Sequence, residues 1–283
     1  PVANLGRVRN KGFEFEVKLN HTFANGLNLW SEFNVTHVKD EILNADDPGL
    51  LPDYQKQKGK QIGQAYSYVS NGYYNNWDEL YATTMHNTND NQKLPGNYAV
   101  LDFNADGILD TYDNIPYGFA GRPQNTFNTT VGFNWKGLSG YVQFYGVNNV
   151  SRQVVLNSLS SQNHVVYEVD SYWSKDNVNG AVPVPTWLST PNGAYTSADR
   201  FFYDGSYLRL KNAEIAYTFF SNSSSWVKSL GVNDLKLYLN GNNLFLWTDM
   251  PDDREANFAG TGWASQGAYP SARRFNLGLN VTF

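Results

Sequence analysis

Apolar and polar residues alternate with a period of two along several stretches of this 283-residue chain, which is the mark of strands with two unlike faces. Phe13, Phe15, Val17 and Leu19 share one face, with Glu14, Glu16, Lys18 and Asn20 on the other. After Ala24-Asn25-Gly26, Leu27, Leu29, Phe33 and Val35 lie on one face and Trp30, Glu32, Asn34 and Thr36 lie opposite. Asn-Gly is a favoured hairpin turn because both residues tolerate positive φ, so these stretches are expected to pair. The pattern resumes at Phe127, Thr129, Val131, Phe133 and Trp135, turns at Lys136-Gly137 and returns over about 138–147. A fifth strand is expected over about 206–219, with Ala213, Ile215, Tyr217 and Phe219 as its clearest apolar face, and a sixth over about 235–247. A short helical turn suits 226–230 between them. The last strand alternates Phe275, Leu277, Leu279, Val281 and Phe283 with Asn276, Gly278, Asn280 and Thr282.

The seven expected strands are joined by connections that run tight, very long, tight, very long, moderate, long. A soluble sandwich has no reason to put its long loops at every second connection. An outer-membrane barrel has one, since its periplasmic turns are short and its extracellular loops long. The expected strands also exceed the usual soluble length of about 5–6 residues and suit the roughly 9–11 that a tilted membrane crossing needs. The expected fold class is therefore all-β, a transmembrane antiparallel β-barrel. With Phe283 at the periplasmic end, the stretches of about 40–125, 148–205 and 248–272 become extracellular loops. Seven strands do not close the usual even-numbered barrel, so the chain is read as the C-terminal portion of a larger one. Residues 2–10 read as the end of a loop, which predicts further sequence before Pro1. A passive porin, or a secreted or surface carbohydrate-binding β module, stands as the alternative.

Composition supports many strands and long loops. Aromatic residues make up 16% of the chain (19 Tyr, 17 Phe, 8 Trp) and charged residues only 17%, against roughly 25% in ordinary domains. The net charge of −5 lacks the basic footprint that nucleic acid requires. With no cysteine there is no disulfide or thiolate chemistry. His21, His37, His86 and His164 are scattered and make no short metal-binding spacing. No apolar run reaches the length of a transmembrane helix, which a barrel does not need.

The sharpest local motif is Asp102-Phe103-Asn104-Ala105-Asp106-Gly107-Ile108-Leu109-Asp110-Thr111-Tyr112-Asp113. Oxygen ligands fall at its positions 1, 3 and 5 (Asp102, Asn104, Asp106) and glycine at 6. The Ile108 carbonyl falls at 7, Asp110 at 9 and Asp113 at 12. That is the calcium-loop spacing, with Asp in place of the usual Glu at the end. A structural calcium ion is the expected cofactor; the alternative is an acidic, solvated loop held by Asx turns. No catalytic set emerges: Glu14 and Glu16 sit two apart on one strand, and Ser206, His164 and Asp170 lack any elbow motif. The chain is therefore expected not to be an enzyme. In the long loops Tyr73, Trp77, Trp173, Trp187 and Trp263 are candidate ligand or partner contacts, because aromatic faces beside Asn and Asp suit sugars or peptides. They equally suit loop cores. Trp135, Trp247 and Tyr217 fall on the presumed lipid face, where an interfacial girdle is expected.

The chain resembles, along essentially its whole length, the C-terminal part of a SusC/RagA-type TonB-dependent transporter from the outer membrane of Bacteroidota. The resemblance rests on Asn10-Lys11-Gly12-Phe13-Glu14, on the calcium-like segment, on Gly118-Phe119-Ala120-Gly121-Arg122-Pro123 and on Asp204-Gly205-Ser206-Tyr207-Leu208-Arg209-Leu210-Lys211-Asn212. Asn242-Asn243-Leu244-Phe245-Leu246-Trp247-Thr248 and the ending Gly278-Leu279-Asn280-Val281-Thr282-Phe283 complete it. It implies a barrel of about 22 strands filled by an N-terminal plug. It further implies active import of oligosaccharides or peptides, energy delivered through TonB, and a SusD-like surface lipoprotein as lid. A dimer of transporter–lid pairs is also implied. Phe283 would be the C-terminal signal for barrel insertion. Arg209 and Lys211, at the top of a strand, would hold loops or the partner. The plug, the TonB-engaging segment and the earlier strands are not in this sequence, so the remainder of the transporter would be the chain's first partner.

Overall fold

The computed structural model describes residues 5–86, 94–153, 172–180, 199, 202–250 and 271–283. Seven long strands form one antiparallel sheet, paired in chain order. They are β1 (Arg7–Thr22), β2 (Asn28–Asn44), β3 (Asn125–Trp135), β4 (Leu138–Asn148), β5 (Tyr207–Phe220), β6 (Asp234–Thr248) and β7 (Arg274–Thr282). Because each strand pairs with the next, the connections 23–27, 136–137 and 221–233 leave one end of the sheet, and 45–124, 149–206 and 249–273 leave the other.

The register aligns like with like. One row across the sheet runs Leu29, Phe133, Gly140, Ile215, Leu239 and Leu277. The neighbouring row on the opposite face runs Trp30, Gly132, Tyr141, Glu214, Asn240 and Asn276. The first face is exposed along its length; Phe13, Leu19, Phe275 and Leu277 are among its most open side chains. The other face is tied by side-chain amides. Gln143 Nε2 donates to Asn128 Oδ1 at 3.1 Å, Asn212 Nδ2 to Gln143 Oε1 and Asn242 Nδ2 to Asn212 Oδ1, an unbroken relay over β3, β4, β5 and β6. Lys236 pairs with Glu214 at 2.8 Å on the same face.

Three local features differ from the simple alternation. β1 and β2 extend well past the alternating stretch, to Arg7 and Asn44, where Lys11 faces Lys39 and Arg9 bonds to Glu41. The hydrophobic pattern reports which face is buried in an apolar medium, whereas the backbone ladder continues beyond it. The first hairpin is not a two-residue Asn-Gly turn. Gly26 N–H donates to Phe23 C=O and Phe23 N–H to Leu27 C=O, which makes a three-residue loop. Gly26 alone is left-handed there (φ 82°), and Asn25 instead accepts from Leu27 N–H. At Lys136-Gly137 both residues are left-handed (φ 49° and 89°), the two-residue turn whose twist matches the strands. In β5 the register shifts at Lys211, which changes the parity of the apolar positions from Leu208 and Leu210 to Ala213 and Ile215.

The larger buried cluster lies in the loops, and a smaller one of Val147, Val150 and Tyr207 sits where β4 and β5 meet them. Tyr73, Tyr74, Leu80, Tyr98, Val100, Leu109 and Trp173 pack together, with Tyr68, Tyr172 and Tyr203 against them. Short strands frame this cluster, including Ser70–Tyr73 against Tyr98–Val100 and, in parallel, Met85–His86 against Ile108–Leu109.

Gly132 is one of several sheet glycines, with Gly12, Gly146 and Gly278, at which the fold leaves no room for a side chain. A Cβ at Gly132 would sit 2.3 Å from the Trp30 ring and 2.9 Å from the Gly140 carbonyl. Gly132→Val is expected to destabilise the folded sheet by about 1–3 kcal/mol. Gly59→Ala, in an open loop turn with nothing nearby, should cost only its backbone strain. Urea titration of the protein in lipid vesicles compares the two; equal midpoints would show that the Trp30 contact does not hold the register.

Candidate functional site

The two long connections that meet above the sheet are built as one body. Asp199 accepts from Ser70 N–H and donates its own N–H to Tyr68 C=O, so the later connection is strapped to the earlier one. Arg152 donates to Gly121 C=O at 2.6 Å, and Phe119 N–H donates to Ser151 Oγ at 2.9 Å. Tyr73 Oη donates to Gly180 C=O at 2.7 Å, and Trp173 Nε1 donates to Asn75 Oδ1 at 3.3 Å. Burial lowers the Arg152 pKa from its ordinary value.

These bonds decide what two of the candidate aromatics do. Tyr73 and Trp173 are 8% and 6% exposed and belong to the loop core, with Tyr73 stacked on Tyr98 at 5.0 Å. Their ring faces are covered, which corrects their reading as ligand contacts: the aromatic signal in the sequence is the same for a loop core as for a binding surface. Trp77 is the opposite case. It sits on the helix α1 (Trp77–Ala82), capped by Asn76, whose side chain accepts from Glu79 N–H. Leu80 turns into the core while Trp77 and Tyr81, one helical turn apart, stack outside with centroids 6.0 Å apart and exposures of 51% and 78%. Trp187 and Trp263 lie outside the described residues.

The acidic loop folds around its own amides. Asp102 accepts from Asp106 N–H and Gly107 N–H, and Asp106 accepts from Ile108 N–H. Asn104 bonds to Asp106 through both backbone and side chain. Asp110 caps the single 3-10 turn Thr111–Asp113. Asp113 is fully buried and accepts from Phe103, Asn104 and Asp110 N–H. Burial, and after it the charges of Asp113, Asp110 and Asp106, hold the Tyr54 pKa above its ordinary value; burial and the first two do the same to Tyr68. The field of these carboxylates thus reaches the surrounding loop. Each carboxylate keeps lone pairs beyond those its amides use, so the donor chemistry suits a hard cation. Among the described residues, however, no three His, Cys, Asp or Glu side chains stand together as a metal-holding group.

The remaining candidates separate. Glu16 pairs with Lys18 at 2.6 Å on the polar face of β1. Ser206 N–H donates to Asp204, while His164 and Asp170 lie outside the described residues. Arg209 is buried to 1% exposure, and Lys211, at the β5 bulge, places its ammonium 4.8 Å over the Tyr145 ring. Phe283 follows β7 and is 86% exposed. The amide relay over Asn128, Gln143, Asn212 and Asn242 was not singled out from sequence. Its signal is there, one carboxamide on the polar face of each of four successive strands, but it shows only once the strands are set in register.

No protein-family model matches the chain. Curated relatives do: TonB-dependent receptor P3 of Formosa agariphila is 28% identical over 311 residues, covering 100% of this chain, and TonB-dependent receptor P26 of the same organism is 26% identical, also over 100%. A solved structure of the RagAB peptide transporter superposes on 99% of the chain with a TM-score of 0.63 at 16% identity. The RagAB peptide importer in its open-open state matches 98% with a TM-score of 0.61 at 15% identity. Over its whole length the chain is similar to TonB-dependent receptors, and it shares the fold of part of the RagAB transporter. It spans 29% and 30% of the length of the two receptors. The chain belongs in the outer membrane of a Gram-negative bacterium, as its TonB-dependent receptor relatives indicate, and the exposed apolar face of the sheet is physically suited to that place.

The buried Asp113 is the keystone of the acidic loop. Asp113→Ala leaves three N–H groups without their acceptor and is expected to cost on the order of 1–3 kcal/mol. Hydrogen exchange at residues 102–114 should accelerate while the sheet amides stay protected. Unchanged exchange would mean that other groups hold the loop.

Proposed function

We propose that this chain forms the C-terminal wall of a larger transmembrane β-barrel of about 22 strands, and that it works in TonB-dependent active import of oligosaccharides or peptides. One observation carries the reading: an exposed apolar face and a self-bonded polar face lie back to back in a sheet whose long connections all leave from one end. Hydrocarbon covers such an apolar face at no cost and tolerates no open sheet edge, so closure with further strands is required. The end bearing 45–124, 149–206 and 249–273 would face the cell exterior, with Phe283 at the periplasmic end. Cargo would be captured there beneath a SusD-like lipoprotein, and would pass after the plug rearranges under force from TonB. Pairs of transporter and lid would assemble as a dimer. The RagAB likeness supports peptides as one cargo class. Trp77 and Tyr81 are the exposed aromatics best placed to touch cargo or lid.

The Asp102–Asp113 loop would hold a structural calcium ion through Asp102, Asn104, Asp106, the Ile108 carbonyl, Asp110 and Asp113. The ligand spacing and the buried Asp113 support this; the carboxylates would close around the ion from their present amide-bonded positions. Limited proteolysis of the full-length transporter tests it. Calcium should protect the loop of about residues 40–125, and the double variant Asp102→Ala/Asp106→Ala should lose that protection. Identical cleavage with and without calcium would remove the ion from the reading.

The import reading is tested in cells carrying the full-length gene. Uptake of the cognate oligosaccharide or peptide is expected to vanish both when that gene is deleted and when TonB is absent. Uptake that persists without TonB would instead assign a passive porin.

A further inference from the structure

Near the top of β2 the 45–124 connection encloses a cavity of about 280 Å³ with an unusual lining: Gln55, Gln57, Gln61 and Gln64, with Lys60, Ile42, Gly63 and Tyr66. No carboxylate lines it. The backbone around it is fixed. Gly59 N–H donates to Ile42 C=O, Ile42 N–H to Lys60 C=O and Lys60 N–H to Gln57 C=O. The side chains of Gln55, Gln61 and Gln64 are fixed as well, and the bonds that fix them leave other atoms open. Gln55 Nε2 donates to the Thr111 and Asn114 carbonyls, and Gln64 Nε2 to those of Ala65, Tyr117 and Gly118. Gln61 Oε1 accepts from Ala120 N–H. That leaves the Oε1 atoms of Gln55 and Gln64 as acceptors, and Gln61 Nε2, the Gln57 carboxamide and the Lys60 ammonium as donors.

Charge decides the class of ligand. Lys60 is half-buried, and among the described residues its ammonium has no carboxylate at ion-pair distance. The nearby Asp47 does not pair with it: its carboxylate accepts from the N–H groups of Gln57 and Lys58 at 2.8 and 3.1 Å, and its charge, after burial, holds the Tyr66 pKa above the ordinary value. Tyr66 closes one side with its ring, and its hydroxyl donates to Gln55 C=O at 3.4 Å. A partly desolvated ammonium without a counter-ion, beside the Gln61 amide held in place through its oxygen, selects an anion. A planar carboxylate is the anion whose two oxygens ammonium and amide N–H groups can share. Pre-placed carboxamides also lower the ordering cost of binding. We propose that this cavity binds a carboxylate-bearing ligand, the free C-terminus of a peptide or the acid group of a uronic sugar, with Lys60 as its counter-ion. That the site receives cargo rests on the import reading; the binding itself does not.

Calorimetric titration of the full-length transporter in detergent decides the matter with three probes: N-acetylglycine, N-acetylglycinamide and glucuronate. The first and the amide differ only in the charged end. The acid is expected to bind at least about tenfold more tightly than the amide, with the advantage falling as salt is raised. Lys60→Gln should abolish that preference, leave the weak amide binding as it was, and be rescued by Lys60→Arg. The substitution spares the backbone N–H and C=O of residue 60 that brace Ile42 and Gln57, so the fold is kept. The stronger of the two acids identifies the source, peptide end or sugar. Equal affinity for acid and amide, no binding of either acid, or an unchanged preference in Lys60→Gln would overturn the site. Binding without TonB-dependent uptake would keep the site and sink the import reading, and uptake without binding would do the reverse.

Discussion

Everything in this chain depends on a ladder register that keeps the two faces of one sheet apart. Side chains alternate with a period of two, so a slip by a single residue would carry Leu29, Phe133, Ile215, Leu239 and Leu277 to the face now holding Trp30, Tyr141, Glu214 and Asn276. The amide relay makes such a slip expensive. Gln143 and Asn212 each donate to one neighbour and accept from another, so moving β4 or β5 breaks bonds on both sides, and moving β3 or β6 breaks one. The register in turn requires an apolar medium on the outer face. The same medium forbids open edges, and among the described residues the outer edges of β1 and β7 have no strand beside them.

The loop layer obeys a different rule. A sheet with lipid on one side and a polar interior on the other has no core to offer, so the long connections must bury their own. They do it with tyrosine and tryptophan, which supply area together with a polar tip that can bond to loop carbonyls. Tyr73 reaches Gly180 and Trp173 reaches Asn75, and each bond joins two connections far apart in sequence. The result is a framed platform from which α1 presents Trp77 and Tyr81 outward.

The sheet was legible in the sequence because alternation is a local signal that every strand carries separately. Strand ends were less so, as at Asn44, because backbone pairing outlasts the hydrophobic pattern that announces it. The parity change at Lys211 was hidden for a related reason: a bulge reads in sequence as a break in alternation and shows its meaning only against the partner strands. The acidic loop was visible as a spacing, and its amide-bonded shape follows from residues that make Asx turns. Which loop aromatics are buried was not legible. Tyr73 and Trp77 are four positions apart and of similar character, and only long-range partners send one into the core and leave the other outside.

Polar groups in this chain divide into those whose bonding is complete and those with capacity left over, and recognition follows the second kind. The relay of Asn128, Gln143, Asn212 and Asn242 is polar, and the atoms that form it are shared between neighbouring strands. A ligand competing for those atoms would have to break a protein bond for each one it made. The cavity around Lys60 is the reverse. Three of its four glutamines are held by one atom and open at another, and its lysine has no carboxylate at ion-pair distance among the described residues. The same side chain, a carboxamide, thus acts as mortar when neighbouring strands supply its partners and as a contact surface when a loop supplies only half of them. Recognition should therefore be sought in the loop layer rather than on the sheet.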